Sequence, residues 1–143
     1  MYYFAYGSNM NHRQMETRCP TAKYLKKAYL QGYRFVYDGY SSIRGDAVAN
    51  IVGEKCSIVW GGLYELDKEC LNSLDNFEGY PDCYTRKILS VKDDDGNEYE
   101  AWVYLREPKK IGQPSQPYRN TVYEGARNCS LPEDYIKRYI LQE

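Results

Sequence analysis

The stretch Tyr2-Tyr3-Phe4-Ala5-Tyr6-Gly7-Ser8-Asn9 constrains this chain more than any other. Five apolar or aromatic residues in a row read as a buried strand. Gly7-Ser8-Asn9 interrupts the run, and Met10 to Cys19 then has the composition of a short helix stopped by Pro20. Asn9 and Asn11 are both candidate N-caps, and Asn11 with Gln14 three residues on has capping-box spacing. A strand that runs through a Gly turn into a helix start aims several backbone N–H groups at one point. Gly7 lets the main chain approach a ligand closely. The turn is too short for a P-loop, lacks its Lys, and is not GxGxxG. A small carboxylate therefore suits it better than a phosphate; the alternative is an ordinary corner with no ligand.

The rest of the chain reads as strands with a few helices. Thr21 to Leu30 is expected to be extended, with Gly32 breaking it before a strand over Tyr33 to Tyr37. Asp38 to Asp46 has loop composition, Ala47 to Val52 reads as a short strand, and Gly53-Glu54-Lys55 as a turn. Cys56 to Leu66 is the longest strand candidate. Ile58, Trp60, Gly62 and Tyr64 share one face, Val59, Gly61 and Leu63 the other, and both faces are expected to be buried. Gly61-Gly62 marks a bulge or a close backbone approach.

Asp67 is placed to cap a helix ending near Glu78. Leu71, Leu74 and Phe77 form its apolar stripe, Gly79 takes the position after its end, and Pro81 follows. Tyr84 to Lys92 and Glu98 to Leu105 read as hairpin strands around Asp93-Asp94-Asp95-Gly96, a solvated turn without calcium-loop spacing. Arg106 to Pro117 is an exposed loop. A helix starts near Ser115 or Pro117 and runs to Arg127, and Ser130-Leu131-Pro132-Glu133 opens a last helix in capping-box form. Tyr135, Ile136, Tyr139 and Ile140 face inward on it. The expected fold is α+β: a mixed, mostly antiparallel, barrel-like curved sheet with a few peripheral helices, in one domain over residues 1–143.

Charge and composition exclude several function classes. The net charge is −1, and no basic stripe is interleaved with aromatics, so nucleic acid is not an expected partner. No apolar run approaches the ~18–20 residues that span a bilayer. The first strand begins at residue 2 with no leader ahead of it, so a cytoplasmic location without membrane contact is expected. The five cysteines are odd in number, scattered and free of CxxC spacing, which argues against a disulfide framework and a zinc site. Most are expected to be small core residues. No metal and no cofactor is expected. Seventeen of the 143 residues are Tyr, a supply of hydroxyls for a pocket that needs hydrogen bonds without charge.

Glu78 is the strongest candidate for chemistry. It sits at the C-terminal end of its helix, where the negative end of the macrodipole disfavours ionisation, and burial beside Phe77 and Tyr80 would act in the same direction. A carboxylate pushed toward neutrality suits a general base. The alternative is a surface Glu at a helix end. His12 is the only His and lies on a polar face, expected to be solvated. Ser8 lacks the GxSxG elbow, and Cys83 has no visible base.

In this order and spacing the residues resemble a known family. Tyr3-Phe4-Ala5-Tyr6-Gly7-Ser8-Asn9, Gly45-Asp46-Ala47-Val48-Ala49-Asn50-Ile51, Leu71 to Gly79, Tyr84-Thr85-Arg86, Pro117-Tyr118, Glu124 to Arg127 and Leu131 to Tyr135 resemble the motifs of γ-glutamylcyclotransferases of the AIG2-like (BtrG-like) superfamily. The resemblance covers roughly Tyr2 to Tyr139. It implies a lyase- or acyltransferase-type cyclisation. A γ-glutamyl amide is converted to 5-oxoproline and a free amine, with Glu78 as general acid/base. It also implies that Tyr3, Phe4, Ala5, Tyr6, Gly7, Ser8, Asn9 and Tyr118 bind the substrate, and Tyr84 joins them. Relatives form homodimers, so the resemblance implies a homodimer; glutathione turnover, peptide scavenging and a tailoring step all use the same chemistry and stay open as its role.

The Asn9 version of the loop points to the branch acting on γ-glutamyl amino acids. Tyr40 to Arg44 and Arg106 to Gln116 are the loops expected to select the leaving amine. Two alternatives stand beside this reading: a module that binds small carboxylates or γ-glutamyl groups without turnover, and a cyclotransferase for another γ-glutamyl amine.

Overall fold

The computed structural model describes residues 1–41 and 46–143, without the side chains of Tyr40 and Ser41. Two long strands dominate it. β2 (Lys23–Ser41) and β3 (Asp46–Glu65) pair antiparallel along nearly their whole length. β1 (Tyr2–Ala5) pairs antiparallel with the end of β3. On its other side it pairs parallel with β5 (Glu98–Leu105), which forms a hairpin with β4 (Thr85–Lys92). A pairing of Tyr29 with Lys92 joins β2 to β4 and closes the barrel in the order β1-β3-β2-β4-β5. The sheet is mixed, mostly antiparallel and barrel-like, as the sequence leads one to expect.

Two expected breaks are absent. Gly32 does not end a strand; it adopts φ +86° at a register shift between Gln31 and Tyr33, and β2 runs on through it. Gly53-Glu54-Lys55 does not reverse the chain. Gln31 opposes Ile58 and Tyr33 opposes Gly53, so residues 54–57 leave the ladder and β3 then resumes against the same partner. Cys56, at φ +71°, makes that excursion possible. Glycine and polar residues mark a turn and a bulge alike; the common partner strand decides between them. The loop expected from Asp38 is also shorter, because β2 continues to Ser41. Residues 42–45, which include part of the expected leaving-group loop and Gly45, lie outside the described residues.

The core fills the barrel and the space under the helices. Phe4, Ile51, Val59, Leu63, Val91 and Val103 are fully buried strand residues, and Met10, Met15, Leu74, Ile136 and Ile140 cover them. Val59, Gly61 and Leu63 form the buried face of β3. The opposite face is buried only at Gly62 and Tyr64, since Ile58 is 39% exposed and Trp60 half-buried. A Cβ at Gly61 would run into the Ala5 carbonyl oxygen and stand 2.8 Å from the Phe4 ring, so β1 lies on β3 only because residue 61 has no side chain.

Local signals set the helix ends. α1 (His12–Arg18) is capped by Asn11, whose side chain accepts from the Gln14 N–H at 3.1 Å. α2 (Lys68–Glu78) is capped by Asp67, which accepts from the Cys70 N–H at 2.7 Å, and ends at Gly79 with φ +68°. Its stripe holds Leu71 and Leu74 but not Phe77, which is 54% exposed under the Arg18 guanidinium. Each three-residue step falls about 60° short of a full turn, so the third member rotates off the face.

α3 (Gln116–Asn128) begins at the Ser115 cap. Ser130 does not cap the last helix. It adopts φ +56° and terminates α3, its N–H on Arg127 O, and Pro132 holds the N-cap position of α4 (Glu133–Tyr135). A π-helical turn over Ile136–Ile140 continues α4. The hairpin turn is not wholly solvated either. Asp93 is buried and accepts from the N–H groups of Asp95 and Asn97 and from the Tyr99 hydroxyl, with Lys26 paired to it at 3.2 Å. Among the described residues no helix is long and apolar enough to cross a membrane.

Candidate functional site

β1 ends at Ala5, and the chain then turns over the open end of the barrel through a 3-10 turn, Ser8–Met10. The cavity at this turn takes Tyr3, Tyr6, Gly7, Ser8 and Asn9 from the N-terminal segment. β3 contributes Ala49, α2 contributes its last residue Glu78, and Tyr84, Tyr104 and Tyr118 complete the wall. Eight residues singled out in the sequence therefore meet here. Phe4 and Ala5 do not line the cavity: Phe4 points to the opposite face of β1 from Tyr3, and Ala5 is packed against Gly61. Gly7 has a reason to be Gly, since a Cβ there would stand 3.0 Å from that of Ala49.

Asn9 is the hub of the turn. Its Oδ1 accepts from Gln14 Nε2 at 3.0 Å and from Arg18 at 3.1 Å. Its Nδ2 donates to the Tyr3 hydroxyl at 2.9 Å and stands 3.5 Å from Glu78 Oε1. Its carbonyl accepts from the Tyr64 hydroxyl at 3.0 Å. Gln14 also donates to Ser8 Oγ at 2.8 Å, so its side chain holds the turn rather than completing a capping box. Within the turn the Met10 N–H bonds to Gly7 O, so the N–H groups of Ser8 and Asn9 precede the ladder.

The tyrosines are tied to the frame. Tyr84 donates to Ala49 O at 2.6 Å, and the Ala49 N–H donates to the Tyr118 hydroxyl at 3.0 Å. Tyr6 donates to Tyr104 O at 2.7 Å, and the Tyr104 hydroxyl donates to Asp75 Oδ1 at 2.7 Å. Arg86 grips Asp75 with two nitrogens, at 2.8 and 3.0 Å, and lies between the rings of Tyr80 and Trp102. Behind Tyr84, the Arg106 guanidinium covers the ring at 5.0 Å and pairs with the fully buried Asp38.

Burial, and after it charge from neighbours that include Glu78, raises the pKa of Tyr3, Tyr6 and Tyr84; burial and then its hydrogen bond to Asp75 raise that of Tyr104. These phenols stay neutral, able to donate and accept without carrying charge. Phe77 and Tyr80 are exposed, and the half-buried Glu78 carboxylate faces Asn9 and the tyrosines.

The other nucleophile candidates are disposed of by geometry. His12 is only partly exposed. It packs on Tyr24 with ring centroids 4.4 Å apart, its Nε2 is 3.8 Å from Cys129 Sγ, and desolvation lowers its pKa. Burial pushes the Cys129 thiol up to about 12, so this pair rests as neutral thiol and neutral imidazole. Cys83 is exposed, and Ser8 Oγ is held by Gln14. Among the described residues no three His, Cys, Asp or Glu side chains are grouped to hold a metal.

Ala49 and Tyr104 were not foreseen in the site. Tyr104 shares a face of β5 with the exposed Glu98 and Glu100 and the half-buried Trp102, so the alternation does not single it out, and nothing local joins it to Glu78. Ala49 contributes backbone, for which its side chain gives no signal.

The profile of a family described as "Gamma-glutamyl cyclotransferase, AIG2-like" matches residues 3–124. Human gamma-glutamylcyclotransferase is 30% identical over 141 residues, spanning 95% of this chain and 75% of the human protein. The mouse protein of the same name is 28% identical over the same shares. A solved structure titled "Gamma-glutamyl cyclotransferase" superposes with a TM-score of 0.91 at 28% identity, covering 97% of this chain and 85% of that one.

Proposed function

The chain belongs to the gamma-glutamyl cyclotransferase, AIG2-like, family, and from that membership we propose how its own residues carry the reaction. The substrate is a γ-glutamyl amide, foremost a γ-glutamyl amino acid. Its α-carboxylate rests against the N–H groups of the Gly7-Ser8-Asn9 turn. Its α-amine is held against its own γ-carbonyl. The nitrogen lone pair attacks that carbon, a C–N bond closes the five-membered ring, and the C–N bond to the leaving amine breaks. Glu78 takes a proton from the α-ammonium and returns one to the departing amine. The products are 5-oxoproline and a free amine, and no enzyme nucleophile, metal or cofactor takes part.

Orientation supplies most of the catalysis. Intramolecular closure of this kind is worth ~7–11 kcal/mol when the reacting atoms are held in line. Tyr84, Tyr104 and Tyr118 form neutral walls around the glutamyl group, and backbone or hydroxyl donors steady the developing oxyanion.

One observation supports this reading above the rest. The fold brings Glu78, sixty-nine residues away in sequence, to the side chain of Asn9 in the turn. The residues 106–116, and those of the 40–44 segment, select the amine. The enzyme works in the cytoplasm as a homodimer, and its chemistry fits the turnover of glutathione-derived γ-glutamyl compounds.

The test is release of 5-oxoproline from a panel of γ-glutamyl amides by the wild type and by Glu78→Gln. Product from the wild type, lost in the variant without loss of fold, is expected. Full activity in the variant would remove Glu78 from the chemistry. Stabilisation of the wild type by these compounds with no product from any of them would leave a binding module in place of the enzyme.

A further inference from the structure

A groove of about 780 Å³ lies away from Glu78 and shares no lining residue with its cavity. Glu54, Cys56 and Ser57, in the segment that leaves the β2 ladder, form one wall, and α4 with its π-helical continuation forms the other. The apolar surface combines aromatic rings, Trp60 on β3 and Tyr135 and Tyr139 on the last helix, with the aliphatic side chains of Val36, Ile58 and Ile111. The cations are Arg34 and Arg138.

Two polar atoms of this lining are buried without a well-formed hydrogen bond, the Tyr135 hydroxyl and Arg34 Nε. Tyr135 is only 7% exposed. The Trp60 backbone N–H stands beside the Tyr135 oxygen, which occupies a lone pair and leaves the phenolic proton without an acceptor. Arg34 Nε is 3.2 Å from Glu54 Oε1, an ion pair in which the N–H does not point at the carboxylate. A buried donor without an acceptor is unfavourable and uncommon in native proteins. Both unmet groups here are donors, and both belong to the lining of one cavity. The strained backbone of Cys56, at φ +71°, keeps the neighbouring wall away from the ladder.

We propose that this groove is a second binding site, for an aromatic monocarboxylate. The carboxylate accepts from Tyr135 and Arg34, and the ring packs on Trp60 and Tyr139. Glu54 and Asp134 offset the two guanidiniums in the lining, so the groove favours a singly charged anion over a phosphate.

The test is an NMR titration of the isotopically labelled full chain with indole-3-propionate, and with the corresponding alcohol as the uncharged control. Saturable shifts are expected at Trp60, Tyr135 and Tyr139, with the alcohol binding at least about tenfold more weakly. Tyr135→Phe removes one hydroxyl and keeps the ring, so it retains the fold; it and Arg34→Gln should each weaken the carboxylate by about tenfold. Unaltered affinity in both variants overturns the proposal, as do shifts at Asn9 and Tyr118 instead of the groove, or none at all. Groove signals that follow protein concentration without ligand would assign the face to a second copy of the chain, and also overturn it.

Discussion

Asn9 Nδ2 stands 3.5 Å from Glu78 Oε1, and the same amide donates to Tyr3 at 2.9 Å. The orientation is not free to change. Arg18 and Gln14 donate to Asn9 Oδ1, so a flipped amide would face two donors with a third. The turn and the carboxylate are thus registered to each other through one side chain.

Asn9→Ala removes that link and leaves Gln14, Arg18 and Tyr3 without their shared partner. With product formation as the assay, kcat/KM is expected to fall by up to about 100-fold, the cost of a small misplacement of reacting groups. A loss smaller than about threefold would show that the turn and Glu78 hold their places independently.

Gly61→Ala tests the seating of β1. The added methyl would meet the Ala5 carbonyl oxygen and the Phe4 ring, which are core backbone and a packed aromatic. A destabilisation of about 1–3 kcal/mol is expected by denaturant unfolding. Substrate affinity should fall as well, because Tyr6 to Asn9 follow directly from β1. Unchanged stability would mean that β1 shifts without cost.

Asp75 predicts a response to acid. Burial disfavours its charge, but the Arg86 guanidinium and the Tyr104 hydroxyl outweigh that and hold its pKa below the usual value. The folded carboxylate therefore binds a proton less readily than the unfolded one. Its contribution is present at neutral pH and is lost as the pH falls below about 4 and through the folded pKa. Asp75→Asn should cost about 1–3 kcal/mol at pH 7 and flatten the acid limb of stability against pH. An acid limb identical to that of the wild type would count against the pair.

The thiols divide by burial. Cys56 and Cys83 are exposed, while Cys19, Cys70 and Cys129 are buried. A thiol reagent added to the folded protein should modify Cys56 and Cys83 promptly and the other three only in denaturant. Early modification of Cys129, located by peptide mass, would show that α3 opens in the native state.

The parts that were legible in the sequence are those coded over a few residues. Asp67 and Gly79 bracket α2, Asn11 opens α1, and Asp-Gly joins β4 to β5, each through a cap or turn whose chemistry is local. Glu78 and the Tyr6-to-Asn9 turn were singled out by local chemistry and again by family resemblance, and their meeting is a product of barrel closure that no local rule contains. Phe77 was misplaced because a three-residue repeat is not the helical period. Ser130 was misplaced because a left-handed residue that ends one helix can imitate the cap of the next. Ala49 could not be found at all, since it acts through its main chain.

Ala49 has a consequence beyond the cavity. It pairs with Tyr37 on one side, while its other edge offers an N–H and a carbonyl where a further strand would dock. Tyr118 and Tyr84 occupy these two groups. The side chains that wall the cavity are therefore also the stoppers on an open sheet margin, the kind of margin through which chains join edge to edge. Replacing either tyrosine with Phe should leave a sticky seam, seen as self-association on storage, even where catalysis survives.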